Sequence, residues 1–283
     1  MLLIADSGST KTDWRLVGAH NAITQLATQG LNPYFISEQD LVQVLKLEVV
    51  PHVKEAGSVD QVFFYGSGTG AEEKRKVLER SLKAVFTNAR IEVNTDILGA
   101  ARALCGNAPG VAAILGTGSN TCFYDGKTIT CQAPSLGFIL GDEGSGAHLG
   151  RTFLSALLAN ELPRDLTQRF FERFGTSKED ILDRLYRQPL PNRYLASFAK
   201  FIHQNLKDEQ VTRLTADCFR AFFEKQVMRL PSHGPSPATF HCTGSVGFYF
   251  SNILRRVAEE KHIITGKILE SPIAALTLYH LEG

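Results

Sequence analysis

The sequence predicts an α/β protein of two similar domains, and three observations predict it. The chain opens on an apolar run, Leu2 to Ala5, that reads as a buried strand. It passes through Asp6 and a small, hydroxyl-rich turn, Ser7-Gly8-Ser9-Thr10, then Lys11 and Thr12, and resumes as a strand over Trp14 to Val17. A little over a hundred residues later the pattern returns: strand Ala112 to Leu115, turn Gly116-Thr117-Gly118-Ser119-Asn120-Thr121, strand Cys122 to Tyr124. The third observation is the alternation of strand-like and helix-like runs after each hairpin, which marks an α/β class. Each hairpin tip can turn several backbone N–H groups and hydroxyls toward one anion, for which a phosphate is the natural guest. Asp6, at the end of the first strand, is placed to hold a divalent metal through its water shell, as Mg²⁺ prefers. One such hairpin reads equally well as an ordinary glycine turn; the second copy tips the balance toward a pair of phosphate-gripping turns on two domains facing each other across a cleft.

The elements follow in order. Ala22 to Thr28 reads as a third strand and leads to Gly30-Leu31-Asn32-Pro33-Tyr34, where Asn-Pro is a turn signal. Ser37 can cap a helix reaching about Val53, with Leu41, Val42, Leu45 and Val49 on one face. Gln61 to Tyr65 is a strand entering Gly66-Ser67-Gly68-Thr69-Gly70, and a charged helix runs from Ala71 to about Val85. The glycine spacing is not that of a dinucleotide fingerprint, and no strand ends in an acid about twenty residues on. Ile91 to Thr95 is a strand with Asp96 at its carboxyl end, the edge where open α/β sheets bind ligands. A lone Asp there also reads as an N-cap of the small, apolar helix Ile97 to Leu104. Gly106 to Gly110 is a turn-rich break that marks a domain boundary.

After the second hairpin, Gly126-Lys127-Thr128 imitates a P-loop, but position 121 is Thr rather than Gly and Ile129 to Cys131 alternates like a strand. Leu136 to Leu140 leads to Gly141-Asp142-Glu143-Gly144-Ser145-Gly146 and a long helix through Leu149, Phe153 and Leu157. The density of glycine around two acids argues for close approach by a ligand, although acids suit any helix N-terminus. Residues 160–230 form a helical block: Leu166, Phe170 and Phe171 mark one helix, Ile181, Leu182 and Leu185 a second, Tyr194, Phe198, Phe201 and Ile202 a third, and Phe219, Phe222, Phe223 and Val227 a fourth. Aromatics at that spacing are core. Pro231 to Pro237 is a linker, Ala238 to Cys242 a short strand, Thr243-Gly244-Ser245-Val246-Gly247 a turn into a helix with Ile253, Leu254 and Val257, and Ser271-Pro272 opens a last helix.

These motifs carry a family resemblance. Asp6 to Thr12 resembles the first phosphate motif of the actin-like ATPase superfamily, Leu115 to Asn120 the second, and His241 to Gly247 the adenosine motif. With Thr95-Asp96 and Gly141 to Gly146, the chain resembles the N-acetylglucosamine kinase branch of that superfamily. The resemblance spans the whole chain. It implies a two-lobed actin-like ATPase (ribonuclease H-like) fold with mixed sheets, ATP in the cleft between lobes and a helical insert in the second lobe. Residues 1–109 with 272–283 would form the first lobe and 110–271 the second. It further implies Gly8, Ser9, Thr10, Lys11, Gly116 and Thr117 on the ATP phosphates, Gly244, Ser245 and Gly247 on the adenosine, Mg²⁺ near Asp6, and Asn32, Ser67, Ser119, Asn120 and Asp142 on an amino sugar, with Glu143 helping to hold Asp142. Asp96 aligns with the family's catalytic base. The activity implied is phosphorylation of the sugar's 6-hydroxyl, N-acetylglucosamine first, by a homodimer.

The composition agrees with such an enzyme. The 283 residues suffice for two cores, and 43% hydrophobic with 21% charged residues is globular. A net charge of +1 gives no field for nucleic acid or membrane, and Lys74-Arg75-Lys76 lies among Glu72, Glu73 and Glu79 as a solvated face. The N-terminus is too quickly acidic for a signal peptide and no run reaches transmembrane length, so the cytoplasm is expected. Five cysteines, Cys105, Cys122, Cys131, Cys218 and Cys242, without a Cys-x-x-Cys pair, read as free thiols. Their lack of pairing weighs against a second reading, an ATPase of the 2-hydroxyacyl-CoA dehydratase activator type, which needs cysteine ligands for an iron–sulfur cluster. A third reading is a sugar- and nucleotide-binding sensor with little turnover.

Overall fold

The computed structural model describes residues 1–8, 10–53, 56–230 and 238–282. Ser9 and the expected linker 231–237 lie outside them. The chain divides into two compact units, Met1–Gly106 with Pro272–Gly283, and Asn107–Ser271.

The first unit is built on β1 (Leu2–Ser7), β2 (Lys11–Val17), β3 (Ile23–Gln29), β4 (Gln61–Gly66) and β5 (Arg90–Thr95), in the sheet order β3-β2-β1-β4-β5. The hairpin strands β1, β2 and β3 are antiparallel, while β4 and β5 join β1 in parallel. The apolar run Leu2 to Ala5 is continuous because β1 is covered on both faces. Leu3 and Ala5 enter one core with Trp14, Val62, Phe64, Leu78 and Leu82. Ile4 enters another with Tyr65, Ala103, Ile273 and Leu276. Helices α1 (Glu38–Val44) and α2 (Glu72–Val85) complete the first of these cores. Ser37 caps α1 by accepting from the Asp40 N–H at 3.2 Å, but the expected helix to Val53 is α-helical only to Val44; it continues as a π turn over Leu45–Val49. Helix α3 (Asp96–Cys105) and the C-terminal helix Ile273–Glu282 pack on the opposite face, where Arg102 donates to the Tyr65 hydroxyl at 2.5 Å and His280 sits 2.8 Å from the same oxygen.

The second unit repeats the scheme. Strands β6 (Gly110–Leu115), β7 (Ser119–Tyr124) and β8 (Ile129–Gln132) are an antiparallel meander. The sequence then gives a short turn of helix, α4 (Gly137–Leu140), the long helix α5 (Gly146–Leu158), and the helical block α6 (Arg164–Phe174), α7 (Lys178–Tyr186), α8 (Pro191–Ser197), α9 (Ala199–Gln204) and α10 (Glu209–Phe222). The single helix expected through Tyr194 and Ile202 is two, broken at Phe198. Strand β9 (Phe240–Thr243) joins β6 in parallel and is followed by α11 (Ser245–Tyr249) and α12 (Ser251–Glu260). An edge strand absent from the sequence reading, β10 (Thr265–Leu269), completes the order β10-β9-β6-β7-β8. Its Thr-Gly-Lys start hides the period-two signal. The aromatics are core as expected: Phe170 lies 5.2–5.7 Å, ring centre to centre, from Phe153, Phe198 and Phe201.

Helix α5 runs so close to α8 that a Cβ on Gly150 would stand 2.0 Å from the Leu195 carbonyl oxygen. Gly150→Ala is therefore expected to destabilise the protein by about 1–3 kcal/mol, seen as a lower urea midpoint at unchanged slope. An unmoved midpoint would show that this helix pair tolerates separation.

Candidate functional site

In the first unit the site grows from strand register. Ser7 pairs with Gly66, and Gly66 with Thr95, so the three parallel strands end at one level. Beyond that level stand the Gly8 to Lys11 turn, the Ser67 to Gly70 turn and Asp96. The turns are tied together. The Ser67 N–H donates to the Ser7 carbonyl at 2.9 Å, Ser7 and Thr12 hydroxyls meet at 2.7 Å, and the Leu31 N–H donates to the Ser7 hydroxyl at 3.1 Å. Thr69 locks its own turn by donating to the carbonyls of Gly66 and Asn94.

Asp96 does not cap α3. Thr95 does, accepting from the Leu98 N–H at 3.3 Å, which leaves Asp96 as the first helical residue with Oδ1 accepting from the Ile97 N–H at 2.8 Å. Burial holds the Asp96 carboxyl above the usual carboxylate range, against the pull of the backbone N–H groups of Ile97 and of Asp96 itself. Burial likewise pushes Asp6 up to about 7; the Asp96 and Asp13 carboxylates add to the rise and Lys11 opposes it. Lys11 is tethered to Asp13 at 2.6 Å yet largely exposed, as is Thr10.

Asn32 and Ser67 come together. Asn32, 7% exposed, donates from Nδ2 to the Ser67 hydroxyl at 3.3 Å and accepts at Oδ1 from the Tyr34 N–H at 3.0 Å. The turn reading of Asn32 holds, since its side chain accepts from the N–H two residues on. Gly68, at φ +80°, gives Asn32 room: a Cβ there would lie 2.4 Å from Asn32 Oδ1.

In the second unit the turn Gly116 to Gly118 is braced from below. The N–H groups of Gly146 and Ala147, at the start of α5, donate to the carbonyls of Gly116 and Thr117 at 2.8 and 3.1 Å. Asp142 Oδ1 accepts from the Ser119 N–H at 3.3 Å, and burial raises its carboxyl, with the Ser119 bond opposing and Glu143 adding. Burial also acts to raise Glu143, but its own N–H, Gln226 and Lys225 outweigh it and hold the carboxyl low. Ser119 and Asn120, both expected at a sugar, face opposite sides of β7. Ser119 Oγ accepts from Gln226 at 2.8 Å, while Asn120 Oδ1 accepts from Gln132 on the edge strand at 3.0 Å.

Sequence reasoning missed Gln226, Lys225 and His148. A glutamine between Phe222, Phe223 and Val227 on an apolar face was the available signal for the first. His148 accepts at Nδ1 from the Gly144 N–H at 3.1 Å, and burial lowers it to about 4, so it is a neutral acceptor holding the acidic loop. Gly126-Lys127-Thr128 is a hairpin turn: the Lys127 and Thr128 N–H groups donate to Asp125.

The glycines separate packing from vacancy. Gly244, at φ +111°, cannot carry a Cβ because it would lie 2.4 Å from the Leu115 carbonyl oxygen, and one on Gly247 would lie 2.5 Å from Cys242 Sγ. Packing alone accounts for both, and it clamps the strand-to-helix turn, with its exposed Ser245, onto the end of β6. Gly8 and Gly116 are different. Neither has a left-handed φ; among the described residues a Cβ on Gly116 meets nothing within 4 Å, and one on Gly8 meets the Lys11 carbonyl at 3.6 Å. The protein's own atoms do not require glycine at either place, which fits turns that admit a bulky anion. The Gly8 N–H, however, closes its own turn on the Lys11 carbonyl at 2.9 Å, so it is already engaged.

For a metal, the relevant fact is that Asp6 is raised partly by like charge, which a divalent cation would relieve. Among the described residues no group of three His, Cys, Asp or Glu side chains is placed to hold an ion. A single carboxylate such as Asp6 is the kind of protein donor Mg²⁺ takes alongside water and phosphate oxygens. No described helix is long and apolar enough to cross a membrane.

No protein-family model matches the chain, and no curated protein matches it. Solved structures match along its length. A Porphyromonas gingivalis protein provisionally named an N-acetylglucosamine kinase is 40% identical, with 100% of this chain and 99% of that one covered and a TM-score of 0.93. A Chromobacterium violaceum protein under the same provisional name is 18% identical, covers 98% of both chains and has a TM-score of 0.67. A Streptomyces griseus ROK-family glucokinase, solved with glucose and AMPPNP, is 14% identical over 98% of this chain and 97% of that one, with a TM-score of 0.57. The last two speak for the fold. Full-length identity at the level of the first places the relationship beyond the fold: the chain belongs to the N-acetylglucosamine kinase-like family of the actin-like ATPase superfamily.

Proposed function

We propose that this protein is an ATP-dependent kinase of an amino sugar, N-acetylglucosamine first, acting at the 6-hydroxyl. The observation that carries the reading is Asp96: a carboxylate of raised basicity, fixed at the carboxyl edge of the first sheet beside the Asn32–Ser67 pair and the Gly8 to Lys11 turn. The provisional name of the 40% identical relative supports it. A sugar hydroxyl is a poor nucleophile. As its oxygen attacks the γ-phosphorus and the bond to the leaving ADP oxygen breaks, Asp96 takes the hydroxyl proton. Asn32, Ser67, Ser119 and Asp142 are assigned to the sugar; Asn120, turned to Gln132 on the other face of β7, is not brought to Ser119 and drops out of that set. Thr10, Lys11 and Thr117 are assigned to the phosphates with Gly8, Gly116 and Ser9; Gly8 and Gly116 contribute absence of bulk. Gly244, Ser245 and Gly247 are assigned to the adenosine. Mg²⁺ near Asp6 would neutralise phosphate charge. The reading carries with it a cytoplasmic homodimer.

The test is ADP release from ATP and Mg²⁺ against N-acetylglucosamine, glucosamine, N-acetylmannosamine and glucose. Release that needs one amino sugar supports the kinase. Release indifferent to every sugar, and surviving Asp96→Asn, would point instead to an ATPase with a protein partner.

The empty surroundings of Gly116 give a sharper check on the nucleotide. Gly116→Ala is expected to leave thermal stability unchanged or raise it by about 0.4–1 kcal/mol, since the backbone is compatible and the unfolded chain is stiffened. The same methyl is expected to raise the KM for ATP by about tenfold or more, through misplacement of the phosphates. A variant with unchanged stability and unchanged KM would remove this turn from the nucleotide site.

A further inference from the structure

The acidic loop of the second unit holds an unusual backbone. Asp142 has φ 55° and Gly144 φ +74°. A left-handed aspartate persists only where its surroundings over-determine it. Here the Ser145 N–H donates to the Asp142 carbonyl at 3.1 Å, the Ser119 N–H to Asp142 Oδ1 at 3.3 Å, and the Gly144 N–H to His148 Nδ1 at 3.1 Å. The Glu143 carboxylate is bracketed, with Lys225 Nζ 3.2 Å from one oxygen and Gln226 Nε2 3.2 Å from the other.

Gln226 reaches both the loop and the strand. Its Nε2 also donates to Ser119 Oγ at 2.8 Å, and its Oε1 accepts from the Thr121 hydroxyl at 3.1 Å. It is 5% exposed and sits in a π turn, Phe223–Val227, at the end of α10. Such turns gather at functional sites, where they re-aim side chains. Phe222, Phe223 and Val227 around it belong to the apolar core. A hydrocarbon side chain would match the surrounding apolar contacts but would take a bond from the buried Ser119 and Thr121 hydroxyls and from Glu143, and a buried polar group is costly unless its bonds are made. The amide here makes its bonds to the one loop and the one strand that present Asp142 and Ser119.

We propose that Gln226 is a positioning residue for sugar recognition, locking the start of β7 and Glu143 in one register so that Asp142 keeps its left-handed conformation beside Ser119. The proposal rests on the reading of Asp142 as a sugar ligand. The helical block then does more than fill space: its last turn sets the geometry of the acceptor loop.

Steady-state kinetics of the full chain decides it. Gln226→Met, close in volume, is expected to raise the sugar KM about tenfold to a hundredfold, with the KM for ATP within about twofold; the bonds taken from Ser119, Thr121 and Glu143 also lower the melting temperature. Thr121→Val and the exposed-side change Lys225→Met test the same network without touching the core amide, and each is expected to raise the sugar KM about threefold to tenfold. Gln226→Glu sets two carboxylates together; adding E143Q restores an acid–amide pair and is expected to recover most of the sugar KM lost by the single change. A sugar KM unmoved in Gln226→Met, or, if that variant does not fold, in both Thr121→Val and Lys225→Met, overturns the proposal, as does an equal rise in both substrates' KM. Asp142→Asn separates the two levels. If it leaves the sugar KM unchanged, the sugar-ligand reading of the loop fails; if it raises it while Gln226→Met does not, only the positioning role fails.

Discussion

Asp96→Asn is expected to lower kcat for sugar phosphorylation by about 10²–10⁴-fold, with the sugar KM within a few-fold of the parent. The change is close to isosteric, and its side-chain oxygen can still accept from the Ile97 N–H, so α3 keeps its start. It also removes a charge whose burial raises the carboxyl's pKa, so the variant is expected to be no less stable than the parent. Loss of turnover with retained stability and retained sugar binding is the signature of a base rather than a structural carboxylate. The pH profile adds a sign. Because burial holds the Asp96 carboxyl above the ordinary carboxylate range, kcat/KM is expected to fall as pH drops, with an acid limb at higher pH than an ordinary carboxylate gives, and the residual rate of the variant is expected to lose that limb. Turnover within about tenfold of the parent would assign the proton to another group.

Asp6→Asn is expected to raise stability, and to do so in a pH-dependent way. In the folded, ligand-free protein Asp6 titrates near 7, against 3.8 for the free group. Between those values the native state holds a proton that the unfolded chain has released, so stability falls as pH rises through this window and the full penalty is present above pH 7. The size is on the order of a few kcal/mol at pH 8 and near zero at pH 4. Urea melts without nucleotide or metal should therefore find the variant more stable than the parent at pH 8 and equal to it at pH 4. The same variant is expected to lose most activity, because the carboxylate proposed to meet Mg²⁺ is gone. Equal midpoints at both pH values would show that Asp6 is solvated well enough to ionise freely.

Much of this was legible in the residues. The strand β1 and its hairpin could be read from an apolar run ending in Asp6 and hydroxyls, because a strand buried on both faces has no polar alternation to blur it. The place of Asp96 at the carboxyl end of a strand was legible from Ile91 to Thr95, while its reading as a base rests on the family resemblance. What the sequence concealed was mostly local backbone choice. The break at Phe198 leaves the aromatic spacing intact, so periodicity cannot see it. The π turn at Phe223–Val227 rotates Gln226 toward a loop 83 residues away in sequence, and no local pattern encodes that meeting. The split of Ser119 and Asn120 between two faces follows from where β7 begins, a boundary that hydroxyl-rich turns leave open. Conversely, Gly244 and Gly247 looked like ligand-facing glycines, yet their packing on Leu115 and Cys242 explains them without a ligand.

The bracing of the Gly116 turn by α5 has a mechanical consequence. The first amides of that helix bond the carbonyls of Gly116 and Thr117, so they are not free donors for an incoming anion, and the turn is bolted to thirteen residues of rigid helix. It cannot wrap around its guest. A turn of this kind discriminates by prior shape, as a gauge does, and the Gly146 and Ala147 amides that brace it should exchange slowly with deuterium whether or not nucleotide is present.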